Sequence, residues 1–209
     1  MEPGKYYHLY THAIGFDNLF ISEENYLFFL ERYARYAVPV VETYAYCLMP
    51  NHFHVLVRIK NTDEVERVRE SVRRLQDSTL TLRWSETLEG LDKFVVQQFS
   101  HLLNSYTQVY NKMYKRRGAL FNHSFRCNEI KEDGYFTAAV FYIHNNPVHH
   151  RFVSVMENWT WSSYLPMLTK ELPWLDQKAV IDWFGGKEQY LKYHKQPFDG
   201  FKPTGSLRP

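Results

Sequence analysis

The sequence is short of cysteine and has no long hydrophobic run. Its 209 residues include only two cysteines, Cys47 and Cys127, and no CxxC pair. This argues against a thiolate zinc site and against a disulfide framework. No apolar stretch approaches the roughly 18 residues of a membrane-spanning helix, and the first residues lack the basic and apolar segments of a secretory signal. We therefore expect a cytoplasmic protein without a membrane partner.

Acidic side chains are missing from one stretch of a chain that is nearly neutral as a whole. The formal net charge is +2, yet residues 93–128 contain no Asp or Glu. Because carboxylates would repel phosphate groups, such a stretch suits a nucleic-acid surface. A solvated helix end and turn explains the pattern equally well. The cations of this stretch are Lys93, Lys112, Lys115, Arg116, Arg117 and Arg126.

Hydrophobic periodicity predicts one α+β domain. The hydrophobic share of 44% and the charged share of 23% are those of an ordinary globular protein. The predicted order is strand 5–14, a helix capped by Ser22 that ends before Pro39, strands 38–50 and 52–59, helix 62–76, loop 77–92, a helix from Val95 that Gly118 ends, strand 119–130, and a helix from Asp133 that Pro147 ends. This order favours an antiparallel sheet with helices packed on one face.

Two histidines flank Phe53 in the third predicted strand. Side chains alternate along a strand, so His52 and His54 project to the same side. Neutral imidazole binds many divalent ions, and a pair on one face could hold a metal. A His-x-His pair taken alone more often has a structural role.

A tyrosine and an asparagine on the last of these helices strengthen the metal hypothesis. Tyr142 and Asn146 are four residues apart, which places them on one helix face. The asparagine oxygen could complete a site with the two histidines, one turn from the tyrosine. A phenol has a pKa near 10, so its attack on a phosphodiester needs help from a metal or a base.

Several segments together resemble one known family. The stretch YAYCLMPNHFHVLVRI (44–59) resembles the histidine strand of the REP-associated tyrosine transposases, which lie within the single-tyrosine HUH transposase superfamily. FYIHNNPVHHRFV (141–153) resembles the tyrosine helix of that family. Further similarity lies in 100–126, in WTWSSY (159–164) and in 174–186. The resemblance therefore runs over nearly the whole chain, in order.

The resemblance implies a fold and a set of roles. The fold would be the ferredoxin-like or RRM-like HUH nuclease fold, an α+β structure, with a catalytic domain at 1–164 and a C-terminal helical segment and flexible tail at 165–209. His52 and His54 would bind Mg²⁺ or Mn²⁺, and Asn146 takes the position of a third polar ligand. Tyr142 would be the nucleophile of a DNA endonuclease and strand transferase that makes a 5′-phosphotyrosine link.

The expected partner is single-stranded or hairpin DNA, which would associate the protein with the nucleoid as a monomer or a homodimer. We expect the DNA to lie across the sheet and the 93–128 segment, with bases stacked on aromatic rings. The segment His149-His150-Arg151 replaces small residues usual in the family, and we interpret it either as phosphate contacts or as a solvated turn. The expected DNA contacts are Lys112, Lys115, Arg116, Arg117, Arg126, His149, His150 and Arg151.

Two other functions compete with this one. A histidine-triad nucleotide hydrolase would need a third histidine where the chain has Leu56. A nucleic-acid-binding module of RRM type without catalysis stays open, since its sheet would stack bases and the two histidines would be incidental. Metal binding separates the transposase from such a module.

Overall fold

A computed structural model describes residues 1–75, 88–122, 125–131, 133–169 and 172–196. Much of the predicted loop at 77–92 and nearly all of the tail from residue 196, predicted to be disordered, lie outside these ranges. The strands are β1 (Tyr6–His12), β2 (Val41–Met49), β3 (His52–Ile59) and β4 (Arg126–Ile130). The helices are α1 (Glu23–Tyr36), α2 (Thr62–Leu75), α3 (Leu88–Met113), α4 (Asp133–His149), α5 (Pro166–Thr169), α6 (Gln177–Trp183) and α7 (Lys187–His194), with a 3-10 turn at Met156–Asn158.

The four strands form one antiparallel sheet in the order β2-β3-β1-β4. β2 and β3 make the predicted hairpin around Pro50-Asn51. In the central pair, His54 lies opposite Tyr10 and His52 lies opposite His12. Residues directly opposite each other share a face of the sheet, so this register gathers side chains from β1 and β3 on one side. β4 covers only the last five residues of the predicted strand 119–130.

Helices cover both faces of the sheet. The Phe29 ring of α1 lies 4.9 Å from the ring of Phe53 on one face, and the Tyr142 ring of α4 lies 5.5 Å from that of His54 on the other. The antiparallel α+β class predicted from the sequence is confirmed, but the helices were expected on one face. The reason is visible in β2, where neighbouring Cys47 and Leu48 are both 0% exposed, because a strand covered on both sides buries consecutive residues.

The first helix begins as its sequence indicates. Ser22 is the N-cap of α1, and it forms a capping box with Asn25. Glu23 and Glu24 follow in the first turn, where carboxylates interact favourably with the helix dipole. The sequence therefore predicted both the start and the type of this element.

The last long helix continues through its proline. α4 reaches His149, with Pro147 inside it, whereas the sequence predicted its end at that residue. Proline removes its own N–H donor and crowds the carbonyl four residues earlier, and this close to the helix end only one hydrogen bond is lost. The backbone N–H of His150 still donates to the Asn146 carbonyl at 2.9 Å. The chain reverses one residue later, at Arg151, whose φ is 60°.

The segments after α4 close the open edge of the sheet at β2. The N–H of Leu48 donates to the Trp161 carbonyl at 2.8 Å, and that of Asp176 donates to the Thr43 carbonyl at 2.8 Å. Trp161 stacks on Tyr26 of α1 with ring centroids 4.4 Å apart. The described part of the C-terminal segment thus packs on the same core as the sheet. The boundary after residue 164 stays a prediction. None of the helices described is both long and apolar enough to cross a bilayer.

Candidate functional site

Four histidines lie together on the face of the sheet that α4 covers. His52 and His54 are 4% and 5% exposed, and β1 adds His8 and His12 beside them. The His12 and His52 rings stack at 4.7 Å, and the His8 and His54 rings stack at 5.0 Å. The alternation of side chains along β3 therefore brings the predicted pair together, and the register of β1 places two more histidines beside that pair.

The ring of His52 has its tautomer set by the hairpin turn. Its Nδ1 lies 2.8 Å from the Oδ1 atom of Asn51. An amide oxygen only accepts hydrogen bonds, so Nδ1 must carry the proton and donate. The lone pair of His52 then resides on Nε2, the nitrogen that remains available to a metal.

The ring of His54 is held by another histidine. Its Nδ1 lies 2.9 Å from Nε2 of His8, and both rings are buried. A single proton lies between the two nitrogens, and either ring can donate it. The other nitrogen of His8, Nδ1, is buried without a hydrogen-bond partner.

All three buried imidazoles are neutral at neutral pH. Burial lowers the pKa of His8 and of His52 to about 3, and it lowers the pKa of His54 well below its usual value. The charges of the neighbouring His12 and His150 add to the effect on His52. Neutral imidazole is the form that binds metal ions.

The two α4 residues predicted from the sequence lie above these histidines. The half-buried ring of Tyr142 is 5.5 Å from that of His54 and 5.9 Å from that of His8. Burial raises the pKa of Tyr142, while the side chain of Asn146 opposes that shift. The phenol is therefore protonated at neutral pH and needs activation before it can act as a nucleophile.

Asn146 carries an unused acceptor into this group. Its Nδ2 donates to the Tyr142 carbonyl at 2.8 Å, and its buried Oδ1 makes no hydrogen bond of good geometry, although the side chain lies close enough to His52 to oppose the lowering of that imidazole's pKa by burial. The residue is 1% exposed, and leaving such an oxygen unpaired costs about 1–3 kcal/mol. An unsatisfied buried oxygen beside the neutral imidazole of His52, whose ring lies 5.2 Å from that of His54, fits a divalent cation.

The available donors are two imidazoles and one amide oxygen. Across the described ranges, no three or more His, Cys, Asp or Glu side chains converge in an arrangement that would hold a metal ion. Mg²⁺ and Mn²⁺ prefer oxygen ligands, so phosphate and water oxygens would have to complete the coordination. This donor set suits an ion that works on a phosphate.

Three residues of this group, His8, His12 and Asn51, were not predicted from the sequence. The alternation of His8, Tyr10 and His12 along the first strand predicts one shared face. What the sequence could not give is the pairing of β1 with β3, which places that face beside His52 and His54. Asn51 was interpreted as a turn residue, and its side-chain contact depends on the exact shape of the turn.

Some of the predicted DNA contacts border the histidines. Arg126 lies opposite Tyr10 on the same face of the sheet, and its charge contributes to lowering the pKa of His12. His150 is exposed at the end of α4, with its ring 5.2 Å from that of His52. His149 and Arg151 are exposed on either side of it.

The remaining predicted contacts follow the end of α3. Lys112, Lys115 and Arg117 are exposed. Arg116 is half-buried, and its guanidinium donates to Asp17 at 2.5 and 3.0 Å. That arginine therefore fastens the end of α3 to the loop after β1.

The sheet itself offers little surface to DNA. α4 covers the face with the histidines and α1 packs on the other, so the expected path of DNA is blocked across β1, β2 and β3, whose residues are mostly buried, whereas the edge strand β4 is partly exposed. The end of the sheet where β3 begins remains, with His12, His150 and Arg126 around it.

A second pair of buried histidines lies on another side of α4. Nδ1 of His144 is 3.0 Å from Nε2 of His194 in α7. Nε2 of His144 is hydrogen-bonded to the Ser163 hydroxyl at 2.7 Å, and Nδ1 of His194 is hydrogen-bonded to the Tyr190 carbonyl at 2.8 Å. Burial lowers the pKa of His194 to about 4 and that of His144 well below its usual value.

Comparisons with known proteins agree with the resemblance indicated by the motifs. No family model matches the chain. A Haemophilus influenzae protein provisionally named as a REP-associated tyrosine transposase is 24% identical over 156 residues, covering 72% of this chain and 71% of that protein. A solved structure of a REP-associated tyrosine transposase bound to a REP hairpin has a TM-score of 0.50 at 13% identity, covering 81% of this chain and 82% of that one. The resemblance to this family is confirmed, and the solved structure shows the shared fold.

Proposed function

We propose that this chain, which resembles the REP-associated tyrosine transposases, cleaves and rejoins single-stranded DNA with Tyr142 as its nucleophile. The proposed substrate class is single-stranded DNA beside a hairpin, and the similar solved structure is bound to a REP hairpin. Each cleavage leaves the protein joined to a 5′-phosphate and frees a 3′-hydroxyl. A later 3′-hydroxyl reverses the step and joins strands.

One observation carries the proposal. Tyr142 lies over the His8–His54 pair, and one helical turn further on the Asn146 side chain lies beside His52 with a buried oxygen that makes no hydrogen bond of good geometry. A purely structural packing of α4 against the sheet gives no reason to bury an unsatisfied acceptor there. A site that binds a cation and a phosphate does.

The cleavage step moves one bond. The Tyr142 Oη–phosphorus bond forms, the bond from phosphorus to the 3′-oxygen breaks, the phenol loses its proton, and the 3′-oxygen gains one. The half-buried position of the phenol restricts its orientation before the attack. Because the phosphotyrosine diester keeps the energy of the broken bond, the reverse reaction needs no cofactor that supplies energy.

His52, His54 and Asn146 are the residues that would hold Mg²⁺ or Mn²⁺. Such an ion supplies Lewis-acid stabilisation to a phosphodiester. Asn51 keeps the His52 lone pair on Nε2, and the Nδ2 bond from Asn146 to the Tyr142 carbonyl aims the amide oxygen. These contacts orient the donors before any substrate arrives.

The DNA would approach the end of the sheet where β3 begins. His150 and Arg126 border the histidines there, and neither base-edge recognition nor sequence readout is required of them. Lys112, Lys115 and Arg117, exposed after the long helix α3, would hold phosphates further along the strand.

The non-catalytic RRM-like module is disfavoured by the position of α4. Such a module stacks bases on an open sheet, but α4 covers the face that carries the histidines and Tyr10. It survives as an outcome of the experiment below.

The test is a denaturing-gel assay with labelled hairpin DNA, using a pool that includes hairpins from the flanks of the protein's own gene. With Mn²⁺ or Mg²⁺ the wild type should form a covalent adduct that EDTA prevents, and Tyr142→Phe should form none. The matched control is Tyr10→Phe, because Tyr10 is a second tyrosine near His54, with rings 5.6 Å apart. That variant should retain the adduct.

Other results point elsewhere. DNA that is bound but never cut with either metal would favour the binding module. If the adduct is lost in Tyr10→Phe and kept in Tyr142→Phe, the nucleophile is Tyr10 and not Tyr142.

A further inference from the structure

We infer that His8 is a positioning residue, which fixes the proton of His54 on Nδ1 and so directs the Nε2 lone pair of His54 toward the cation. This inference rests on the proposed function, because it concerns the same metal-binding histidines. His8 does not touch the substrate or the metal in this scheme.

The His8–His54 contact holds a single proton. The two nitrogens are 2.9 Å apart, so one of them donates and the other accepts. If His8 donates, the proton of neutral His54 resides on Nε2, and that nitrogen cannot bind a metal. If His54 donates, its Nε2 carries a lone pair. Only the second arrangement is compatible with metal binding.

The neighbouring histidine shows the same construction. His52 donates from Nδ1 to the Asn51 oxygen, which leaves its Nε2 unprotonated. Each histidine of the pair thus has one partner at Nδ1, and the two partners come from different parts of the chain. Such partners commonly set the tautomer and the ring orientation of metal-binding histidines.

The surroundings of His8 also favour a role beyond packing. His8 is 1% exposed, and its Nδ1 has no hydrogen-bond partner. When His8 accepts from His54, its own proton resides on Nδ1, and Asn128, directly opposite in the β1–β4 pairing with a buried and unpartnered Nδ2, would offer that proton an acceptor once its amide is turned by 180°. An apolar residue at position 8 would avoid the cost of burying an imidazole. We infer that the imidazole is buried at this position, despite the cost, because it forms the hydrogen bond with His54.

The first test needs no variant of His8. Long-range ¹H–¹⁵N spectra of metal-free protein with ¹⁵N-labelled histidine, recorded at pH 7, report which nitrogen of each ring is protonated. The His54 signals are assigned by their absence in His54→Phe. We expect a proton on Nδ1 and none on Nε2 of His54. A proton on Nε2 would overturn the inference.

The second test measures the affinity for Mn²⁺ alone, with free Mn²⁺ counted by electron paramagnetic resonance. His8→Phe removes the acceptor and should weaken binding by about 10- to 100-fold. His8→Gln returns an acceptor oxygen and should recover most of the loss. The matched control is His194→Phe, which removes another buried histidine whose ring nitrogen is hydrogen-bonded to that of a second histidine, His144, at 3.0 Å. Its Mn²⁺ affinity should stay within about twofold of the wild type.

The outcomes separate this inference from the proposed function. If the wild type binds no Mn²⁺, the metal-dependent function fails, and the ring spectra alone decide the role of His8. If the wild type binds Mn²⁺ and His8→Phe binds it equally well, the inference fails while the proposed function stands. A loss in His194→Phe as large as in His8→Phe would also overturn a specific role for His8.

Discussion

Two pairs of buried histidines lie on different sides of α4, one packed against it from the sheet and one joining its own His144 to His194 of α7, and they differ in whether every ring nitrogen has a hydrogen-bond partner. In the His144–His194 pair, every ring nitrogen has a partner. The Tyr190 carbonyl accepts from His194, so His144 must donate to His194 and must itself accept from the Ser163 hydroxyl. These hydrogen bonds all point the same way, and they satisfy every nitrogen of the two rings.

The His8–His54 pair leaves one ring nitrogen without a hydrogen bond. Nδ1 of His8 has no partner, and the nearby Oδ1 of Asn146 has none either. Burial lowers the pKa in both pairs, so a shifted pKa alone does not mark a functional site. The unsatisfied atoms distinguish the two pairs, and the Asn146 oxygen is the one that a cation could bind.

The largest expected effects come from removing one ring of each pair. His54→Phe should lower single-turnover cleavage by about 10³-fold or more, since a Lewis-acid metal supplies several kcal/mol. His144→Phe should mainly lower the free energy of unfolding, by about 1–3 kcal/mol for each partner left unpaired. Urea denaturation and cleavage assays on both variants check this. The comparison breaks down if folded His144→Phe is as inactive as His54→Phe.

Acid should destabilise the protein through both pairs. Their pKa values in the folded state lie below the usual value near 6.5, at about 3 for His8 and about 4 for His194. Their contribution is therefore complete above about pH 6.5, and it is lost as the pH falls toward those folded-state values. Each such histidine costs about 1.4 kcal/mol per pH unit in that window.

The double variant His144→Phe with His194→Phe sharpens this prediction. Between pH 6.5 and 5, its free energy of unfolding should fall less steeply than that of the wild type. The difference in slope should be up to about 1.4 kcal/mol per pH unit for each of the two histidines removed. Urea denaturation at stepped pH values measures the slope. An unchanged slope would mean that this pair does not remain neutral in the folded protein.

The smallest effects concern the two adjacent arginines after α3. Arg117→Glu should weaken DNA binding and reduce its salt dependence, because that side chain is exposed. Arg116→Gln should instead change stability, by about 1 kcal/mol or less, because Arg116 is paired with Asp17. Filter binding at several salt concentrations and thermal unfolding separate the two. Equal loss of DNA affinity in both variants would place Arg116 on the DNA surface after all.

Much of the fold was predictable because local signals were strong. The Ser22 cap, the Pro50-Asn51 hairpin and the long apolar stripe of α3 all have sequence signatures. The position of α4 on the opposite face from α1 was not predictable, because strands buried on both sides carry no alternation to mark a solvent face. The helix did not end at Pro147, because the loss of one donor near its end is tolerated.

The candidate site likewise contains residues that could be predicted from the sequence and residues that could not. His52, His54, Tyr142 and Asn146 could be chosen from spacing and from the family resemblance, and the structure brings all four together. His8 could not, since its role depends on the register of β1 against β3, which the sequence does not specify. Arg116 belonged to a charge pattern, and only its contact with Asp17 sets it apart from Arg117.

The most direct test of the proposed nucleophile is to locate the covalent link by mass spectrometry. The protein is incubated with the hairpin pool and Mn²⁺, the DNA is trimmed with a nuclease, and the tryptic peptides are fragmented. We predict a nucleotide-derived mass on Tyr142, in the peptide that spans 132–151 and also contains Tyr135. The same mass on Tyr10 or Tyr135, or intact DNA bound without any link, would contradict the assignment.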